Sequence, residues 1–403
     1  MTALVTCGHT RAGLAAVRAL GRGGIAVAVA APMRPSLAMW SRYATATLLV
    51  PDAGAEAKRF ADTVADEAAG RSCHLILSGT DDALWALSRW RDQLPEGARR
   101  VMPPHDAVAR SLDRTALHDR ARALGLATMQ TLRVDVAAAV EPALAKLDPT
   151  VPVIVRPLVP WVEREDGTRR LAESIPVENV ADVRRLLYAR EDLVRAGCVL
   201  EPRPQGRWLS YGAVCDDGQV VAEVFQERLR ERGDLSGVST LARTLPPDVE
   251  VRRAAHMMLE SLSWQGPALV EMFRGADGVL RLVNVLGRIW GSMQLAINAG
   301  VNVPMLCDGL ARGTPPPLRV QTAEPDHVWR WIVGDLEVMA RRLGRLVSRL
   351  EGKGVFRRRF AALRELLDVN DLLFAKPDVF DAEDPLPFIL EVEHRRKEAR
   401  RFR

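Results

Sequence analysis

Lysine is scarce in this sequence. Of its 56 basic residues five are lysine and 51 are arginine, a bias typical of a high-GC coding sequence. A position where lysine is expected can therefore hold arginine here. The net charge of +5 is small, and residues 326–403 carry 17 basic and 14 acidic side chains. This balance lacks the single-sign stripe of a nucleic-acid-binding face, so we expect no nucleic-acid partner.

Cysteine and long apolar runs are scarce as well. The five cysteines are an odd number without a CxxC pair, which argues against a disulfide framework or a zinc site and favours free thiols in a reducing cytoplasm. No run of 18 uncharged apolar residues exists, so we expect no membrane span. The N-terminal apolar run is not preceded by a charged region, and no signal peptide is expected. Gly8 and Gly13 lack the GxGxxG spacing of a dinucleotide loop.

The composition that remains is that of a globular protein with two to four domains, with 48% hydrophobic and 27% charged residues in a chain of 403. Residues 1–105 predict a small α/β domain, because apolar runs at 3–7, 25–31 and 74–78 alternate with helical patterns. An aspartate in the segment that follows the third run, Gly79 to Asp82, is expected to cap the next helix.

The middle of the chain alternates helical and strand patterns. Residues 106–125 predict one helix that stops at Gly125. Asp216, Asp217 and Gly218 predict a hairpin turn. Pro304 and Pro315 to Pro317 are expected to mark the end of the region, and a helical pattern resumes at Asp326. The predicted strands are 151–155, 198–200, 212–214, 220–225, 268–272 and 280–285.

Six short motifs occur along the chain in a fixed order. They are Leu112-Asp113-Arg114, Gly125-Leu126, Val153 to Pro157, Leu200-Glu201, Val270 to Phe273, and Asn284 to Ser292. Together they resemble the ATP-grasp proteins, and the sequence is similar to the carboxylate–amine ligase and carbamoyl-phosphate-synthase-like branch over about residues 1–315.

The resemblance implies a fold of mixed α/β and α+β class. It consists of an N-terminal Rossmann-like pre-ATP-grasp domain, an ATP-grasp fold, and a helical C-terminal extension. The implied boundaries are residues 1–105 for the first domain, 106–198 for the small-lobe region, 199–318 for the large lobe, and 319–403 for the extension.

The family reaction implies magnesium ligands. In the family, ATP phosphorylates a carboxylate, a nucleophile attacks the acyl phosphate, and Mg²⁺ ions bridge the phosphate oxygens. Glu271 matches the first carboxylate ligand, and Asn284 takes the place of the second. Leu286, two residues along on the same strand face, replaces the asparagine ligand and cannot coordinate a metal. The implied Mg²⁺ site is therefore weakened or lost, and Glu271 has the alternative role of an arginine partner.

The resemblance also assigns residues to ATP. Arg156 and Arg114 match basic residues that reach the phosphates, and Arg288 matches the arginine near the transferring phosphoryl group. Leu200 and Glu201 match the hinge whose backbone reads adenine. Each arginine alone has the alternative role of a structural ion-pair partner.

The acceptor side and the phosphate lid are matched unequally. Arg228, Gly237, Ser239 and Thr240 match a basic stretch and loop that line the acceptor substrate, with a charged strand and turn as the alternative. The lid expected between residues 157 and 175 contains a single glycine, although a phosphate-cradling loop favours several.

Two functions stay open on this sequence. One is an ATP-dependent ligase for a small-molecule carboxylate and an amine-type nucleophile, and it is slightly favoured because Glu271 and Asn284 could hold one ion. The other is a degenerate ATP-grasp protein that binds or scaffolds without catalysis. No membrane partner is expected, and a homodimer is one option for assembly.

Overall fold

The computed structural model describes residues 1–149, 151–158, 161–163, 169–171, 174–202, 206–232, 237–349 and 375–401. Most of the expected phosphate lid, at 159–160, 164–168 and 172–173, lies outside the described residues. None of the helices in the described parts of the chain is both long and apolar enough to cross a membrane.

The first sheet is parallel, with strand order Ala44–Leu49, Ala26–Ala31, Thr2–Val5, Cys73–Leu77. Apart from the edge strand Ala44–Leu49, its strands are almost wholly buried because helices cover both faces. This confirms the predicted α/β unit. The expected aspartate cap is wrong: Thr80 occupies the N-cap position without a side-chain cap bond, and Asp81 begins the helix. The helices here are Arg11–Arg22, Ala57–Gly70, Asp81–Arg89 and Glu96–Arg100, with short 3-10 turns at Leu37–Trp40 and Arg91–Gln93.

The single helix predicted over 106–125 is in fact two, His105–Leu112 and Arg114–Ala123. Asp113 separates them because its carboxylate accepts hydrogen bonds from the Thr115 and Ala116 amides and so caps the second helix. The cap leaves Arg114 as the first helical residue.

A small antiparallel sheet follows, with strand order Ile175–Val177, Val153–Pro157, Cys198–Pro202, Leu132–Val134. It packs against helices Val140–Leu144 and Val180–Ala189 in one apolar core. Both strands predicted in this region are confirmed. The remaining elements of the region are the helix Glu191–Ala196, the 3-10 turn Ala137–Ala139, and the paired strands Trp161–Glu163 and Arg169–Leu171.

A large sheet forms the centre of the molecule. Asp217 and Gly218 have φ of 47° and 78°, as a two-residue hairpin turn requires, which confirms that prediction. Pro304 lies in the first turn of the helix Val303–Ala311 and does not end the region, whereas Pro315 to Pro317 follow that helix outside any helix or strand. The strand order is Lys376–Pro377, Val328–Arg330, Ser239–Thr244, Gln219–Glu231, Gly206–Asp216, Gly266–Gly275, Leu280–Leu286, Ala127–Thr128, with Gln321–Thr322 beside Gln219–Glu231. The helices of this part are Val249–Ser261, Met293–Asn298 and Val303–Ala311.

The helix expected from Asp326 begins later, at Ile332, and extends to Arg349. Residues 328–330 instead form a strand, because they pair with the edge of the large sheet at residues 241–243. The last helix, Leu386–Arg401, follows a segment that returns to the first sheet unit, where buried Arg18 donates to Asp384 at 2.9 Å. The implied boundaries at residues 105, 198 and 318 stay a prediction.

Candidate functional site

One cleft collects most of the residues that the sequence assigns to function. Its volume is about 660 Å³, and the first sheet unit, the small sheet and the large sheet all contribute to its lining. Three of the assigned residues, Leu200, Glu201 and Thr240, are not part of the lining. Those that do line it are Arg114, Arg156, Arg228, Gly237, Ser239, Glu271, Asn284 and Arg288.

Glu201 lies directly behind two of the cleft arginines. Its carboxylate accepts a hydrogen bond from Nε of Arg156 at 2.7 Å and lies 3.6 Å from Nε of Arg114. Burial acts to raise the pKa of Glu201, but the charges of the two arginines outweigh it and hold that pKa below its ordinary value. Each arginine thus has a carboxylate behind it while it still faces the cleft.

Glu271 has a different neighbour. Its Oε1 accepts a hydrogen bond from Nη2 of Arg228 at 2.8 Å. Nε of Arg228 donates to Ser239 Oγ at 3.0 Å, Nη1 donates to Glu231 at 3.4 Å, and the guanidinium lies 5.0 Å from the ring centroid of Trp208. The alternative role of Glu271, an arginine partner, is therefore realised in this geometry.

Arg288 connects the large sheet to the first sheet unit. Its Nε donates to Asp81 Oδ1 at 2.7 Å, and its Nη1 donates to the carbonyl of Ile289 at 3.2 Å. Burial acts to lower the pKa of Arg288, but the charge of Asp81 and its hydrogen bond raise it, so this guanidinium stays charged. Thr240 faces away from the cleft, since its hydroxyl donates to buried Asp335 at 3.0 Å.

No protein-family model matches the sequence, and no curated protein matches it. Several solved structures, in contrast, are similar to this chain. N5-carboxyaminoimidazole synthetase from Staphylococcus aureus is 15% identical over 84% of each chain, with a TM-score of 0.61. L-amino acid ligase from Bacillus licheniformis is 15% identical over 78% of this chain and 74% of its own, with a TM-score of 0.57. Biotin carboxylase from Campylobacter jejuni is 14% identical over 81% and 74%, with a TM-score of 0.61.

The chain has the ATP-grasp fold. The sequence assigns an adenine hinge to the strand Cys198–Pro202, and this assignment stays a prediction. Leu200 is fully buried in the core of the small sheet and contributes backbone only. The pairing with Leu132–Val134 ends at Leu200, so the backbone edge at Glu201 lies beyond that ladder. A hinge that reads a base through backbone groups needs such an open edge.

The metal that the ATP-grasp fold implies does not fit these residues. Glu271 is paired with Arg228, and Asn284 Oδ1 accepts a hydrogen bond from the Val285 amide at 3.0 Å. Leu286 offers no oxygen donor. Mg²⁺ needs near-octahedral oxygen coordination, which usually includes one or two free carboxylates. Within the described ranges, no group of three or more His, Cys, Asp or Glu side chains is arranged to hold a metal ion.

Several residues of the cleft were not assigned from the sequence. Asp81, one of the two aspartates in the segment predicted to hold a helix cap, is the partner of Arg288. Arg11 donates to Asp378 at 2.6 Å and lies 4.0 Å from the Trp331 ring centroid. The position of Arg11 and Asp81 after buried parallel strands was the available signal, because the carboxyl ends of such strands face a crevice. The other unassigned residues include Thr10, Thr80, Trp208, Gln226, Glu227 and Glu231.

Proposed function

We propose that this chain is an ATP-dependent ligase that joins a small carboxylate to an amine-type nucleophile. ATP would transfer its γ-phosphoryl group to the carboxylate, and the nucleophile would displace phosphate from the acyl phosphate. The observation that carries the proposal is the convergence of Arg114, Arg156, Arg228 and Arg288 on one cleft of about 660 Å³. Guanidinium groups bind phosphate oxygens in pairs of hydrogen bonds and stay charged at all working pH values.

The arginines divide the work by position. Arg114 and Arg156 lie beside the expected adenine hinge and would bind the phosphates nearest the nucleoside. Arg288 would stabilise the charge that develops on the transferring phosphoryl group. Arg228, with Ser239 and Gly237, is assigned from the sequence to the acceptor side, and there it would lie between the γ-phosphate of ATP and the carboxylate. Thr240 supports this strand from behind.

Structural neighbours support a nucleotide in this place. N5-carboxyaminoimidazole synthetase from Staphylococcus aureus has been solved with ADP, and biotin carboxylase from Campylobacter jejuni has been solved as a β-γ-ATP complex. The identities of 14–15% carry the fold alone, so the nucleotide of this chain rests on the arginines of its own cleft.

A second candidate is a binding protein that holds ATP without turnover. It is favoured by Asn284, Leu286 and the ion pair between Glu271 and Arg228, which together take the place of the implied magnesium ligands. Both candidates require ATP in the cleft, and they differ in whether phosphate is released.

The test measures ATP binding by calorimetry and ADP release in the presence of mixed carboxylates and amines. The wild type is compared with the double variant Asn284→Glu/Leu286→Asn, which restores the family ligand set. Arg184→Met is the control, because Arg184 pairs with exposed Glu141 far from the cleft.

ADP release by the wild type that depends on both substrates is the result expected of a ligase. Binding without ADP release, with turnover only in the double variant, supports the second candidate. Absence of ATP binding in the wild type and in Arg184→Met would refute both. The homodimer, the cytoplasmic location and the lack of a nucleic-acid partner stay predictions.

A further inference from the structure

Arg228 is the most firmly held cation of the cleft. Its side chain is 7% exposed, and that of its partner Glu271 is 16% exposed. Glu271, Ser239 and Glu231 accept one hydrogen bond each from three different nitrogens of the guanidinium, and Trp208 lies 5.0 Å from it. The guanidinium cannot leave Glu271 without losing several of these contacts together.

The sheet register explains why Arg228 and Glu271 meet. The strand Gly206–Asp216 lies between their strands, and on it Trp208 pairs with Arg228 while Ser210 pairs with Glu271. Alternate residues of a strand share a face, so the two charged side chains rise on the same face and reach across Ser210. Their ion pair is thus fixed by the fold of the sheet.

A divalent cation at Glu271 would have to displace this guanidinium or lie against it. Displacement would leave a nearly buried positive charge with only its longer contact to Glu231, at 3.4 Å, which is costly. Coexistence would place two cations side by side in a cleft where their repulsion is weakly screened. Asn284 and Leu286 add no carboxylate that could offset either cost.

We propose that Arg228 supplies the positive charge of this cleft in place of a divalent cation, so that a nucleoside triphosphate binds here without metal. A guanidinium has five N–H groups, and the three hydrogen bonds that the described residues accept from Arg228 use one on each nitrogen. One N–H on each terminal nitrogen therefore remains for a phosphate oxygen. This inference rests on the proposed function, since ATP must bind in the same cleft.

The experiment titrates ATP into the full-length protein by calorimetry, once in excess EDTA and once in excess Mg²⁺. Arg228→Met keeps the length of the side chain without its charge, and Arg228→Lys keeps the charge. Arg274→Met is the matched control, because Arg274 lies on the same strand as Glu271 but pairs with Asp248 and Glu250 outside the cleft. Thermal unfolding of each variant verifies that it is folded.

Wild type and Arg274→Met should bind ATP with affinities that differ by less than about threefold between EDTA and Mg²⁺. Arg228→Met should bind at least about tenfold more weakly in EDTA, because a charge-assisted contact is lost. Arg228→Lys should retain most of the affinity.

ATP binding that requires Mg²⁺ in the wild type would overturn this inference and leave the proposed function standing. Full affinity in Arg228→Met would overturn the role of Arg228, and no ATP binding under either condition would overturn the proposed function as well.

Discussion

Glu201 and Glu271 are both strand carboxylates that hold arginines of the cleft, but their surroundings differ. Glu201 is 5% exposed and lies between Arg156 and Arg114, so one negative charge faces two positive charges. Glu271 is 16% exposed and is bonded to Arg228, with its other side towards the cleft. The same glutamate–arginine pairing therefore has two roles. The pairs of Glu201 hold the small sheet to the helix Arg114–Ala123. The pair of Glu271 sets the charge that a ligand in the cleft would meet.

The largest expected effect comes from removing the charge of Glu201. Glu201→Gln keeps the shape but leaves Arg156 and Arg114 buried without a counter-charge. Removing one partner of a buried pair costs about 3–5 kcal/mol, and we expect the free energy of unfolding to fall by about 3 kcal/mol because glutamine still accepts a hydrogen bond. Denaturant unfolding measures this change.

The control for this prediction is Glu141→Gln, which breaks the exposed pair with Arg184 and should cost less than about 1 kcal/mol. The pKa of Glu201 is lowered in the folded protein, so its contribution is present above its unfolded pKa of about 4.3 and is lost as pH falls through the folded value. The difference between wild type and Glu201→Gln should therefore shrink in acid. Equal losses of unfolding free energy in Glu201→Gln and the control would mean that the charge of Glu201 does not stabilise the fold.

Glu391 extends the comparison to a carboxylate whose main neighbour is not an arginine. It accepts a hydrogen bond from Nε1 of Trp331 at 2.7 Å, and burial raises its pKa to about 7. The folded state therefore binds a proton that the unfolded state releases near pH 4.3, so stability is lost as pH rises from about 4.3 to 7. Glu391→Gln removes this loss and should be more stable than wild type at pH 8, by about 2 kcal/mol after an allowance for partial exposure.

The measurement is the free energy of unfolding of wild type and Glu391→Gln at pH 5 and pH 8. The two should be nearly equal at pH 5, where the wild-type carboxyl is already protonated. Glu393→Gln is the control, because Glu393 is exposed on the same helix. A gain of stability at pH 8 in both variants would point to a general charge effect of the last helix instead of the burial of Glu391.

The sequence predicted the order of the strands, because that order depends on local apolar patterns. The residues assigned by resemblance lie mostly in one cleft, but they are a minority of its lining. The apolar runs that contain Val153 to Val155 and Ala268 to Val270 are strands, and the polar residues that follow or interrupt them line the cleft. The sequence did not predict which charges meet. Arg228 and Glu271 are 43 residues apart and lie on strands that are not neighbours, so only the sheet register brings them together.

Local patterns also failed where a tertiary partner decides the structure. Residues 328–330 continue a helical periodicity but form a strand, because the edge of the large sheet offers them backbone partners. An aspartate of the segment Gly79 to Asp82 was predicted to cap a helix, yet the carboxylate of Asp81 pairs with Arg288 from another sheet. In both cases the competing partner lies more than 80 residues away in the chain.

The smallest expected effect distinguishes the two descriptions of Glu271. Glu271→Gln preserves an acceptor for Nη2 of Arg228 but removes the charge that offsets it. The cleft lining contains four carboxylates and five arginines, and the variant lowers the carboxylates to three. A polyphosphate should therefore bind more tightly by Coulomb attraction. The carboxylates are Asp81, Glu227, Glu231 and Glu271, and the arginines are Arg11, Arg114, Arg156, Arg228 and Arg288. We expect ATP affinity in EDTA to rise by about tenfold, which is about 1.4 kcal/mol.

A different result, an affinity in Mg²⁺ that falls while the affinity in EDTA is unchanged, would make Glu271 a metal ligand. Glu250→Gln is the control, because it loses one charge beside Arg274 outside the cleft and should change neither value. The two descriptions therefore predict changes under different conditions: a gain of affinity in EDTA if Glu271 serves an arginine, and a loss of affinity in Mg²⁺ alone if it serves a metal.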